Sequence, residues 1–255
     1  MANTVFDNKI IEAKAKDLLS TAINTRSLMT VDTSLAEEAG MTKTINTYTY
    51  TGEAEALGAG EGNSTRGAIS FVGADYKVKR VQANFDYADE DFMADNTIVD
   101  SGVAGATAIL KNKMNADFFT ECGKASLSVT GPVSYDTIVD AIAKLNIEDE
   151  SKVFVVIPTA DKASLRKDPD YMAARMGEVV YTGQVGTVCG VPVVASNATN
   201  EAYVMTPDAV KLFMKKDIEA EQDRDKDTCV NSVYIRSVYV CALVDATKIC
   251  KIAKA

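Results

Sequence analysis

Apolar positions along this chain fall into three rhythms, and each marks a different kind of element. Between Asp89 and Lys124 they recur in steps of three and four, at Val99, Val103, Ala106, Leu110, Met114 and Phe118. Those steps draw one stripe down one side of a helix. Asp89, Glu90 and Asp91 sit where a helix N-terminus favours negative charge, Lys111 and Lys113 come later, and Gly123 supplies a stop. Such a helix would run roughly 50 Å at about 1.5 Å per residue. The mean globular helix is only about a dozen residues long. Gly102 and Gly105 mark positions for a kink, so the pattern predicts a long helix in one or two pieces.

The second rhythm is alternation. Thr44–Tyr50 and Ala68–Val72 are rich in β-branched and aromatic residues, and Tyr76–Phe85 interleaves Val with charge. Gly52–Gly67 separates the first two runs and is rich in glycine and polar residues. Residues 42–87 therefore read as a long hairpin with a flexible tip, and a two-stranded hairpin is at best marginal alone. Alternation returns at Asp217, Glu219, Glu221 and Asp223, which places four carboxylates on one strand face. Like charges in a row repel, so they are expected to meet Lys or Arg from an adjoining chain. Val233–Val244 and Thr247–Ile252 are expected to close a sheet.

The third rhythm is the unbroken apolar run. Val153–Ile157, bounded by Lys152 and Pro158, reads as a buried strand. Before it, Ile138, Ile142 and Leu145 share a helix face with Ser134 as its cap. After it, Thr159–Arg166 fits a short helix ended by Asp168-Pro169-Asp170. Gln184–Ala195 predicts two short strands turning at Gly190, and Ala202–Met205 another strand. Pro207–Phe213 predicts a short helix with proline at its first position. Residues 1–40 read as an arm with an amphipathic helix from about Asn8 to Thr25. An arm this short buries no core of its own, and is expected to order on a partner subunit.

Composition narrows the function. The 255 residues suit one large domain or two small ones, and 47% apolar with 25% charged residues is ordinary soluble globular usage. A net charge of −9 disfavours a general nucleic-acid binder. No 18-residue apolar run marks a membrane span, and Met1-Ala2-Asn3-Thr4 lacks a signal-peptide pattern. Five cysteines without C-x-x-C spacing read as reduced, buried thiols rather than a metal site. Histidine is absent, which removes the commonest general base and metal ligand. No cofactor is expected.

The familiar motifs fail on chemistry. Gly58 and Gly60 start a G-x-G, but Asn63 replaces the third glycine of a dinucleotide fingerprint. Gly62 and Gly67 have P-loop spacing, but Ala68 stands where lysine is required. Asp223, Asp225 and Asp227 begin a calcium loop, but Thr228 and Tyr234 replace its glycine and closing glutamate.

The order of parts, together with Gly186-Thr-Val-Cys-Gly-Val-Pro-Val-Val-Ala-Ser-Asn197, resembles the major capsid proteins of tailed bacteriophages, the Hong Kong 97-like fold family. Ala202–Met205, the following Pro207-Asp-Ala-Val210, and Val238–Ile252 sit where that family has its closing strands. The resemblance implies an α+β fold with five parts. These are an N-terminal arm (1–41), an extended hairpin or E-loop (42–87), a spine helix of the peripheral domain (88–129), an α/β axial domain (130–215) and peripheral return strands (216–255). It implies a non-enzymatic protein that assembles with itself, as pentamers and hexamers, into an icosahedral shell around double-stranded DNA in the host bacterial cytoplasm.

The arm starts directly at Met1, so either a separate scaffolding protein or none is expected, with a portal and decoration proteins as further candidate partners. The DNA would be contacted weakly and without sequence specificity, and no membrane is involved. Relatives that crosslink use a hairpin-tip lysine; Ala56–Ala68 has none, so the shell is expected to be non-covalent. Gly58, Gly60, Gly62 and Arg66 at the tip, and Asp217, Glu219, Glu221 and Asp223 on the acidic face, are the expected intersubunit residues. The alternatives are an encapsulin-type nanocompartment shell and, in another class, an α/β enzyme using Asp, Glu or Lys.

Overall fold

The computed structural model describes residues 8–21, 25–37, 39–174 and 186–254. In chain order the elements are α1 (Asn8–Thr21), β1 (Thr30–Asp32), β2 (Thr42–Thr51), β3 (Ala68–Lys77), β4 (Lys79–Ala88), α2 (Asp89–Ala94) and α3 (Ile98–Cys122). There follow β5 (Leu127–Thr130), α4 (Tyr135–Leu145), β6 (Phe154–Pro158), α5 (Lys162–Lys167), α6 (Pro169–Ala174), β7 (Thr187–Val188), β8 (Val191–Ser196), β9 (Ala202–Met205), β10 (Val210–Arg224), β11 (Val230–Leu243) and β12 (Ile249–Ala253). Three sheets result. One has the order β1-β10-β11-β4, one β5-β12-β9-β6-β8-β7, and β2-β3 form a ribbon of their own.

Helix α3 joins the two larger sheets. Val99, Val103, Ala106 and Leu110 of its first half are buried against Ala83, Ile218, Ala220, Val233 and Ile235 of the four-stranded sheet. Met114, Phe118, Phe119 and Cys122 of its second half pack with Phe154, Val156, Tyr203, Met205 and Ile249 of the six-stranded sheet. The whole predicted stripe is buried. Strand β6 explains its unbroken apolar sequence by having two covered faces. Phe154 and Val156 point to the α3 side, whereas Val155 and Ile157 join Ile138, Ala141 and Ile142 of α4. Ser134 caps α4 as expected: its hydroxyl accepts from Thr137 N, and Thr137 Oγ1 accepts from Ser134 N at 3.0 Å.

Several expectations need correction. The hairpin expected over 42–87 ends at Lys77: β2 pairs with β3 alone, whereas β4 pairs with β11 in the four-stranded sheet, where Ala83 and Tyr87 are buried. The long helix does come in two pieces, but neither glycine causes the break. Asp95 adopts an extended backbone, and its Oδ1 accepts from Thr97 N (2.8 Å) and Thr97 Oγ1 (2.7 Å), which turns the chain before α3 starts. Gly123 follows the helix with φ −61, so it ends α3 without a left-handed turn. Pro207–Phe213 is no helix: β10 begins at Val210, because Val210, Leu212 and Met214 are buried on one side and Phe213 on the other. A second short helix, α6, starts at Pro169, inside the expected stop of Asp168-Pro169-Asp170. β11 and β12 do not close one sheet; β12 pairs with β5 and β9, away from β11.

The arm also departs from expectation. Its described part lies on its own chain rather than waiting for a partner. Ile11 and Ala15 of α1 are buried in the α3 core, Thr25 donates from N (3.2 Å) and Oγ1 (2.9 Å) to Asn115 Oδ1, and β1 extends the four-stranded sheet parallel to β10. The helix begins at Asn8 as predicted and ends at Thr21. The readings on residues 1–7, 22–24 and 184–185 lie outside the described residues.

The cysteine expectation holds for three of the five. Cys122, Cys241 and Cys250 are buried, while Cys189 is exposed and Cys229 half-buried, both in turns with positive φ. Cys189 (φ 50) and Gly190 (φ 84) make the expected turn between β7 and β8. Among the described residues no helix is long and apolar enough to cross a membrane.

Candidate assembly surfaces

The ribbon leaves the body of the molecule at Val78. Its ten Cα pairs run from Thr42↔Lys77 to Thr51↔Ala68, which at about 3.3 Å per residue is roughly 33 Å of two-stranded sheet. Only the base is anchored. Val78 is buried beside Leu35, Phe213 and Ala242, Tyr76 Oη donates to Leu243 O (3.2 Å), and Lys43 and Lys124 lie over the rings of Phe213 and Tyr76.

Beyond the base both faces are bare. One face carries Tyr48 opposite Phe71 and Tyr50 opposite Ile69, and these four side chains are 63–71% exposed. The Tyr48 and Phe71 rings, 6.0 Å apart, contact each other and little else. Four large apolar groups on a projecting ribbon form the kind of surface that marks a protein–protein contact.

At the far end the predicted tip glycines have distinct roles. Gly58 O accepts from Glu61 N (3.2 Å), Gly58 N donates to Glu61 Oε2 (3.0 Å), and Gly60 between them takes φ +86. Gly62 has open space around it, and the Arg66 side chain is exposed. Hydrogen bonds also cross the tip. The Glu55 carboxylate accepts from Ser64 N (2.7 Å), Ser64 Oγ (2.8 Å) and Thr65 N (2.8 Å). Those bonds hold its carboxyl down at about 2, mostly through Ser64. Sequence reasoning missed Glu55, since nothing local ties it to residues nine and ten positions on.

The acidic face sits on the outer side of β10, with Ile218 and Ala220 turned to the core. Its cations come from the same chain. Arg236 on β11, paired with Glu219 in the register, gives Nε to Glu219 (2.8 Å) and Nη2 to Glu221 (2.8 Å), and Lys216 adds a bond to Glu219 (2.8 Å). Lys216 first, then Arg236, hold the Glu219 carboxyl below the usual range. Asp217 lies where the register slips, and its Oδ1 accepts from Ile218 N; Asp223 Oδ1 accepts from Arg224 N. The structure thus places the eight predicted residues at two separate sites, the ribbon tip and the sheet face. Partners for Glu219 and Glu221 are already present within the chain.

An open cleft of about 470 Å³ at the carboxyl ends of β6 and β8 is lined by Thr25, Lys111, Asn115, Thr159, Ser196 and Asn197, among others. Among the described residues Lys111 is the one ionisable group in that lining, and they offer no acid–base pair.

A spine helix bridging two sheets, with a bare ribbon projecting from one of them, defines a shell-building fold. A family model described as phage capsid protein matches residues 72–252, and the chain belongs to that family, a structural and non-enzymatic class. Over 241 residues the chain is 26% identical to the major capsid protein of Staphylococcus phage phiMR11, covering 89% of this chain and 86% of that one. A solved structure from Mycobacterium phage Che8 superposes with a TM-score of 0.65 at 18% identity, covering 87% and 88% of the two chains. The virus-like particle from Pyrococcus furiosus superposes with a TM-score of 0.68 at 10% identity, covering 97% and 100%. These likenesses show the fold, which is the α+β Hong Kong 97-like capsid fold.

Proposed function

We propose that this chain is the major capsid protein of a tailed phage, and that its copies tile an icosahedral shell around double-stranded DNA through pentamers and hexamers. The observation that carries the reading is the ribbon of residues 42–77. It projects an apolar face that the other described residues leave bare, in a chain whose family builds capsids. In this reading the ribbon is the E-loop and lies on a sister subunit. The six-stranded sheet with α4 forms the axial domain, and α3 with the four-stranded sheet forms the peripheral domain. The acidic strand face of Asp217, Glu219, Glu221 and Asp223 is a secondary contact in this reading.

Residues 56–68 contain no lysine, which favours a shell held by buried area and ion pairs without covalent links. Net charge of −9 limits adhesion to packed phosphates, so contact with DNA is weak and unspecific. The reading extends to a separate scaffolding protein, a portal and decoration proteins as partners, and to assembly in the host bacterial cytoplasm.

Negative-stain microscopy of the purified protein tests the reading. Closed particles whose reconstruction shows the ribbon on an adjoining subunit support it, and a monodisperse monomer at all concentrations sinks it. The likeness to the Pyrococcus furiosus particle favours one second reading, a nanocompartment shell. Purified particles that hold a protein cargo and no nucleic acid would select it.

A further inference from the structure

The loop Gly52–Gly67 belongs to no helix or strand, yet three sets of interactions shape it along its length. At the neck, the Tyr50 side chain lies across both limbs so closely that a Cβ on Gly52 or on Gly67 would overlap its hydroxyl. At the apex, Gly58 and Glu61 close a turn through two hydrogen bonds. Between neck and apex, Glu55 on one limb reaches Ser64 and Thr65 on the other through three hydrogen bonds of 2.7–2.8 Å. Glu55 is also half-buried, whereas the other residues of the loop are exposed. Apart from Glu55 the loop residues are exposed, so these bonds and the Tyr50 contact are the interactions that shape it among the described residues.

We infer that the tip is a prefolded hook with Glu55 as its positioning residue, which lets the ribbon engage a second copy of this chain without first ordering sixteen loose residues. The inference rests on the capsid reading for the identity of the partner. The physical reason is preorganisation. A loop that must be ordered on contact gives back part of the contact's free energy as lost conformational freedom, and a loop already held in shape does not. The carboxylate suits this position because it accepts several N–H and O–H donors at once, and charge-assisted bonds outlast neutral ones in water.

The test uses the full chain, kept dissociated at low concentration for the first measurement and concentrated for the second. Residue-resolved amide exchange should show Ser64 and Thr65 at least tenfold slower than an open chain, with Gly62 near the open-chain rate. Glu55→Ala should bring Ser64 and Thr65 to the open-chain rate. Glu55→Gln, whose amide oxygen still accepts, should keep part of the protection. On concentration, Glu55→Ala should need at least threefold more protein to form particles, with an unchanged circular dichroism spectrum, and Glu55→Gln should fall between.

Open-chain exchange at Ser64 and Thr65 in the unaltered protein would overturn the latch, whatever the particle does. Protected amides with Glu55→Ala assembling at the unaltered concentration would overturn the hook's role and leave the capsid reading standing. Failure of the unaltered chain to form particles under any condition would overturn the capsid reading and the docking role together, while the exchange data still judge the latch.

Discussion

Replacing Phe71 by serine separates what the ribbon does for the fold from what it does for assembly. Phe71 is 67% exposed and lies on the face it shares with Tyr48, Tyr50 and Ile69. An aromatic side chain of roughly 200 Å², two thirds of it bare, has about 130 Å² left to cover, worth at most about 3 kcal/mol at about 25 cal/mol per Å². Coverage on docking is incomplete, so half of that figure is a fair expectation, which is about tenfold in concentration. The isolated subunit loses only the Tyr48 pairing, about 1 kcal/mol. Light scattering and sedimentation against protein concentration should therefore show particles appearing about tenfold later for Phe71→Ser, with the urea midpoint of the dissociated chain nearly unmoved. Val72, 74% exposed on the opposite face, reports whether that side is covered too. Assembly of Phe71→Ser at the unaltered concentration would refute the reasoning. So would a urea shift as large as that of a core truncation, since it would mean the face is already buried on its own chain.

Further tests follow from the body of the fold. Phe118 is fully buried between α3 and both sheets, so Phe118→Ala should cost about 3–5 kcal/mol in urea unfolding. The two glycines of α3 should respond oppositely. Gly105→Ala meets open space and should stabilise the chain by about 1 kcal/mol of helix propensity, read as a raised melting temperature, whereas a Cβ at Gly102 overlaps the Phe85 ring and should destabilise it by a similar amount or more. The Glu55 carboxyl sits at about 2, below the ordinary value of 4.5. A depressed carboxyl stabilises the tip above the ordinary value and loses that contribution as pH falls through about 2, so an NMR titration should show Glu55 still ionised, with the tip intact, at pH values where exposed glutamates are half protonated.

Local periodicity made the helices and the central strand legible. The α3 stripe, the Ser134 cap and the doubly covered β6 were readable because each is encoded within a few residues. The break at Asp95 was not, since it depends on one side chain choosing the backbone of Thr97. Pro207–Phe213 looked helical because proline suits a first helical turn; burial of Val210–Met214 on both sides of a long strand overrode that local preference. The arm's resting place and β12's departure from β11 are long-range pairings with no local signature. Of the candidate surfaces, the ribbon and its tip were visible in outline. Glu55 and Arg236 were not, because each acts on residues across a hairpin from its own position.

The bridge made by α3 has a mechanical consequence. Its 25 residues, roughly 37 Å of continuous helix at about 1.5 Å per residue, are clamped along the first half by the four-stranded sheet and along the second by the sheet that carries α4. A beam fixed at both ends cannot tilt at one without dragging the other. A swivel of the six-stranded sheet would therefore be felt at the ribbon's root directly, because Tyr76 and Lys77 lie beside Asp117, Glu121 and Lys124 at that same end of the helix.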